Sequence, residues 1–147
     1  MKTGCISTSE PPVKPPSWFP DDVLARIHAD RILGIRAGKA STHRTIGLWA
    51  VVVDGRVFVR SWSMKPRSWW RTLLDDPCGT VFVGRRKRGI PVRAVQVRSE
   101  EMKDRVSQAY REKYNTRGSI GYVQDMSRKP SRDTTTELVP MPAGESR

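Results

Sequence analysis

The chain has 147 residues, with an apolar fraction of 37% and a charged fraction of 29%. That length buries one sizeable core but not two, and the composition leaves part of the chain as solvated loop or tail. The formal net charge is +12, and Arg31 to Arg98 carries the whole excess, with 15 basic against 3 acidic residues; such a field attracts anions, and the candidate partners are nucleic acid, an anionic membrane surface and a phosphorylated or carboxylated small molecule. The plainer alternative is a basic face kept for solubility.

Residues 1–20 hold Pro11, Pro12, Pro15, Pro16 and Pro20 among Ser, Thr and Gly, which blocks a helix and predicts a flexible arm. Trp18 and Phe19 are its apolar exceptions, suited to pinning the arm on the core. No apolar run follows Lys2, so a secretory signal is not expected, and no stretch reaches the length of a membrane span. The expected location is therefore cytoplasmic, with no membrane partner. A single domain is expected over residues 21–140, with a tail at 141–147. Asp21 and Asp22 after Pro20 read as a helix start, because carboxylates favour the positive end of the helix dipole. Val23, Leu24 and Ile27 then supply a short apolar stripe.

Ile32, Leu33 and Ile35 predict the first strand, and Gly38 to Arg44 a basic loop. Ile46 to Val53 and Val57 to Trp62 flank Asp54–Gly55, the pattern of a two-residue hairpin. Its register sets Val53 against Arg56, Val51 against Phe58 and Trp49 against Arg60. Both faces of this hairpin are largely apolar, so both are expected to be covered, as a barrel with outer helices provides. Lys65 to Asp75 reads as a helix, with Pro66 in its first turn and Pro77 beyond its end. Thr80 to Gly84 and Ile90 to Val97 form a second hairpin around Arg85-Arg86-Lys87-Arg88. Glu100 to about Tyr114 is an amphipathic helix, Gly118 to Ser131 a long connection, and Thr134 to Val139 the last strand. The sum is a mainly β (α+β) chain: a compact barrel of about six antiparallel strands with short helices at its rim.

The chemistry-bearing residues concentrate at Arg60, Ser61, Trp62, Ser63, Met64, Lys65, Pro66 and Arg67, where a strand hands over to a helix. Cations and hydroxyls beside a helix start suit phosphate, and Trp62 and Trp69 offer flat faces to a ring. The competing role for the two indoles is core plugging, with the cations solvated. Arg85 to Arg88 carries a nucleic-acid alternative, weighed against an ordinary exposed turn. Tyr110, Tyr114 and Tyr122 are either walls of a substrate pocket or, for Tyr110, a buried helix face. His28 and His43 lack ligand-spaced partners, and Cys5 and Cys78 form no CxxC pair, so no metal is expected. No nucleophile motif and no Walker loop is present, and catalytic residues stay unassigned.

The run Leu48-Trp49-Ala50-Val51-Val52-Val53-Asp54-Gly55-Arg56-Val57-Phe58-Val59-Arg60-Ser61-Trp62 resembles the second and third strands of the FMN-binding split β-barrel superfamily. It is most similar to a small domain-of-unknown-function family (family 2255) related to deazaflavin-dependent nitroreductases. Pro66, Trp69, Leu73–Leu74, Asp76–Pro77, Val81-Phe82-Val83-Gly84 and the Thr134 to Pro140 segment continue the resemblance over roughly residues 21–140. It implies a split barrel, a homodimer, and a flavin-type cofactor, FMN or deazaflavin, used in oxidoreductase chemistry. Carried over by position, Arg60, Ser61, Trp62 and Lys65 meet the cofactor phosphate and Trp69 supports the loop; Arg67 joins this cofactor-binding set as a third cation beside the helix start. The glycine pair usual after that serine in the nitroreductase relatives is replaced by Trp62, Ser63 and Met64.

Overall fold

The computed structural model describes residues 18–38, 45–62, 68–84 and 89–141. Phe19 is buried in the core, and helix α1 (Asp21–Ala29) starts directly after Pro20, burying Val23 and Ile27. Strands β1 (Leu33–Ala37), β2 (Ile46–Leu48), β3 (Ala50–Val53) and β4 (Arg56–Val59) follow. Helix α2 (Trp69–Asp75) leads to the hairpin β5 (Cys78–Phe82) and β6 (Ile90–Gln96), then to helices α3 (Glu100–Lys113) and α4 (Ile120–Met126). A 3-10 helix at Ser131–Thr134 precedes β7 (Thr136–Pro140).

All seven strands join one antiparallel sheet in the order β2-β1-β5-β6-β7-β4-β3. The two edge strands, β2 and β3, are consecutive in the chain and separated by Trp49 alone. One residue cannot bridge a flat seven-stranded sheet, so the sheet curls until its edges nearly meet. This also corrects the expected strand count: the apolar run Ile46 to Val53 is two strands, because its first half pairs with β1 and its second with β4.

The hairpin register is as expected, with Val53 opposite Arg56 and Val51 opposite Phe58. Asp54 and Gly55 both have positive φ, 54° and 75°, the geometry of a type I′ turn that matches strand twist. Both hairpin faces are covered. Ala50, Val57 and Val59 join the barrel interior with Ile35, Val81, Val92 and Leu138. Val51, Val53 and Phe58 pack outward against Val106, Tyr110 and Tyr114 of the α3 region and Val123 and Met126 of α4.

Other boundaries shift for local reasons. The helix expected from Lys65 is described from Trp69, where Ser68 caps it by accepting from the Arg71 amide; residues 63–67 lie outside the described residues. The expected connection Gly118 to Ser131 contains α4, whose Val123 and Met126 are buried. Thr134 belongs to the 3-10 helix rather than to the last strand. No helix among the described residues is long and apolar enough to cross a membrane.

Candidate functional site

Where the barrel edges come together at Trp49, a cavity of about 570 Å³ opens. Ile46, Gly47, Leu48 and Trp49 form one wall, Arg60, Ser61 and Trp62 a second, Ser68 and Trp69 a third, and Tyr122 and Met126 of α4 the fourth. The volume suits a drug-sized or cofactor-sized ligand, and a mostly apolar lining with a few polar groups is usual for such sites.

Four of the residues expected from sequence therefore converge: Arg60, Ser61, Trp62 and Trp69. Lys65 and Arg67 lie outside the described residues, as do His43 and the Arg85 to Arg88 run. The two indoles divide the roles expected of them. Trp62 is 60% exposed at the rim, whereas Trp69 is 9% exposed and also belongs to the interior core.

Arg60 is placed differently from the phosphate role that the resemblance implied. Its guanidinium is buried, with Nε donating to Thr135 Oγ1 at 2.7 Å. Nη1 donates to Ser107 Oγ and to the Met126 carbonyl, both at 2.8 Å, and Nη2 to the Lys103 carbonyl at 2.7 Å. Burial pushes its pKa down to about 10. Those bonds use four of the five N–H donors that an arginine carries. Arg60 thus ties the end of β4 to α3, to α4 and to the segment before β7, and it holds the cavity walls together instead of reaching for an anion. The neighbouring backbone is held by hydroxyls as well. The Ser61 amide donates to Thr134 Oγ1 at 2.8 Å, and Ser131 Oγ donates to the Ser61 carbonyl at 2.6 Å.

The aromatic side of the cavity is a continuous set of rings. Trp49 stacks on Tyr114 with centroids 4.3 Å apart and planes 6° from parallel. Tyr122 meets Trp49 edge-on at 6.1 Å and Trp62 edge-on at 5.8 Å. Of the three tyrosines, Tyr122 walls the cavity, while Tyr110 and Tyr114 are buried behind it. Their hydroxyls donate to main-chain carbonyls, Tyr110 to Trp49 at 2.7 Å and Tyr114 to Arg31 at 2.6 Å. Burial raises both phenol pKa values, that of Tyr114 to about 12.

Sequence reading missed Trp49 as a site residue, along with Ser107, Ser131 and Thr135 as its scaffold. Trp49 is hidden inside a continuous apolar run, and nothing local marks it as the point where the strand changes partners. The hydroxyl set is split between α3 and the segment before β7. No three His, Cys, Asp or Glu side chains gather as a metal-holding group among the described residues.

Comparison with solved structures places this architecture. A conserved hypothetical protein from Mycobacterium tuberculosis matches with a TM-score of 0.56 at 17% identity, over 88% of this chain and 84% of its own. A reductase dependent on a reduced deazaflavin matches with a TM-score of 0.51 at 17% identity, over 75% and 93%. An FAD-binding protein from Mesorhizobium loti matches with a TM-score of 0.51 at 11% identity, over 82% and 87%. At these identities the likeness is one of fold, a split β-barrel of seven strands with four α-helices. No curated protein matches the chain. The family described as "uncharacterized protein conserved in bacteria (DUF2255)" matches residues 23–138, most of the barrel from α1 into β7, and the chain belongs to it.

Proposed function

We propose that the chain binds a flavin-type cofactor, FMN or a deazaflavin, with its ring system in the cavity between Trp49, Trp62, Trp69 and Tyr122. The observation that carries this reading is the cavity itself: about 570 Å³, walled by aromatic and aliphatic side chains at the seam of the barrel. Among the described residues the only charged side chain in that lining is Arg60, already committed to internal acceptors. The phosphate is therefore assigned to Lys65 and Arg67, which stand in the chain between Trp62 and Ser68. When bound, the ring supplies electron- or hydride-transfer chemistry. The cavity residues would hold the ring by stacking and apolar contact and would limit the access of water to it. Fold likeness to a deazaflavin-dependent reductase and an FAD-binding protein supports the ring class. A homodimer is part of the same reading, with a domain-swapped dimer among the solved structures of like fold.

Titration of the purified protein with FMN and with the deazaflavin cofactor, followed by tryptophan fluorescence, tests this. Saturable quenching at micromolar concentration is expected for at least one of them. Lys65→Ala combined with Arg67→Ala should weaken FMN more than riboflavin, which lacks the phosphate. Absence of saturation by either cofactor contradicts the proposal.

A further inference from the structure

Five aromatic rings run in unbroken succession from the buried face of α3 to the surface. Tyr110 lies 5.9 Å from Tyr114, Tyr114 is 4.3 Å from Trp49, Trp49 is 6.1 Å from Tyr122, and Tyr122 is 5.8 Å from Trp62, all between ring centroids. Three of them, Trp49, Tyr122 and Trp62, line the cavity. Contacts of this kind stabilise cores and need no further role, but the charges and proton acceptors around the rings are arranged unequally.

The inner rings are surrounded by cations. The Arg31 guanidinium carbon sits 5.8 Å from the Trp49 centroid and 5.2 Å from that of Tyr114, Lys113 Nζ 5.2 Å from Tyr114, and Arg60 5.8 Å from Tyr110. Trp49 faces one of these cations and Tyr114 two, each nearer, so a positive charge formed on Trp49 is driven outward to Tyr122 rather than inward to Tyr114. The inner phenols also have no base to receive a proton, because their hydroxyls donate to main-chain carbonyls. Tyr122 and Trp62 are different: both are more than half exposed, so water can take a phenolic proton from Tyr122.

We infer that the Trp49–Tyr122–Trp62 set is a one-electron exit route, which carries an oxidising equivalent from the cavity to the surface and away from the core. The oxidant is a photoexcited flavin-type ring. It takes one electron from Trp49 and is reduced by one electron, leaving the indole radical cation. Tyr122 supplies the electron that restores Trp49 and loses its phenolic proton to water, becoming a neutral phenoxyl radical in contact with the solvent-facing Trp62. A thiol in solution donates a hydrogen atom to the phenoxyl radical, restoring Tyr122 and leaving a thiyl radical.

The natural source of the oxidising equivalent rests on the ring-binding reading above, so the test supplies one from outside. Tris(bipyridine)ruthenium(III), generated by a laser flash with no flavin present, oxidises the protein while transient absorption follows the indole and phenoxyl radicals. In the parent protein the indole radical should decay as a phenoxyl radical grows. Tyr122→Phe should abolish the phenoxyl signal and lengthen the life of the indole radical, whereas Tyr114→Phe should leave the phenoxyl yield unchanged. The inference is overturned if the parent forms no phenoxyl radical, if Tyr122→Phe keeps the parent's yield, or if Tyr114→Phe is the variant that loses it. None of these outcomes depends on whether FMN binds.

Discussion

Arg60 shows how a residue with the right chemistry for a ligand can be absorbed by the scaffold. Its four internal hydrogen bonds tie three separate segments to the end of β4. Arg60→Met fills much of the same space but leaves the Met126 carbonyl without its donor and removes the bonds to Ser107 and Thr135, while the Lys103 carbonyl keeps its place in the α3 helical ladder. Leaving buried polar groups unsatisfied costs about 1–3 kcal/mol each, so urea unfolding should show a loss of about 3 kcal/mol from a lower midpoint at unchanged slope. A destabilisation below about 1 kcal/mol would mean that these groups find other partners. Lys113 gives a pH-dependent counterpart. Its Nζ donates to the Ile27 and Ala50 carbonyls at 2.8 and 2.7 Å, and burial pushes its pKa from 10.5 down to about 8. Between pH 8 and 10 the unfolded chain therefore binds more protons at this amine than the folded one, and its contribution to stability rises with pH. Lys113→Met should flatten that rise in urea midpoints measured across the window; an unchanged slope would assign it to other groups.

Among the elements, the β3–β4 hairpin was the most legible, because Asp54–Gly55 between two apolar runs specifies both the turn and the register. Gly55 holds φ at 75°, and a Cβ there would lie 3.1 Å from the Trp18 ring. Gly55→Ala should therefore cost about 1–2 kcal/mol, the penalty for a side chain in the left-handed region, with no effect on cavity ligands; calorimetry of the variant checks this. Helix α3 was legible from its stripe, and the structure adds a cap at Ser99, whose hydroxyl accepts from the Met102 amide. The division of Ile46 to Val53 was not, since a continuous β-branched run carries no signal for which partner each half will choose. Nor was α4, where Gly118 and Gly121 weaken the helical pattern and burial of Val123 and Met126 overrides it. Four of the eleven lining residues were readable, because Arg60 to Trp62 and Trp69 are close in sequence. Trp49 and Tyr122 reach it only through barrel closure and through the packing of α4, which are long-range events.

For the whole molecule, the net charge of +12 admits nucleic acid as well as a phosphate-bearing ring. Four of the described aromatics, Trp49, Trp62, Trp69 and Tyr122, face a cavity, so a gel shift at physiological salt should give no retarded band. A retarded band that vanishes steeply as salt rises would favour the nucleic-acid reading. Light scattering should return a dimer; a monomer that still binds FMN would remove the second copy from the site. The central claim is that a flavin-type ring enters the seam cavity, and nitrogen-15 NMR of the indole N–H groups during FMN titration tests it most directly. The signals of Trp49, Trp62 and Trp69 should move together and saturate, while Trp18, against the Gly55 turn, and Trp70, bonded to Gln96, should stay in place. Movement confined to Trp18 and Trp70, or no movement at saturating FMN, would contradict the account.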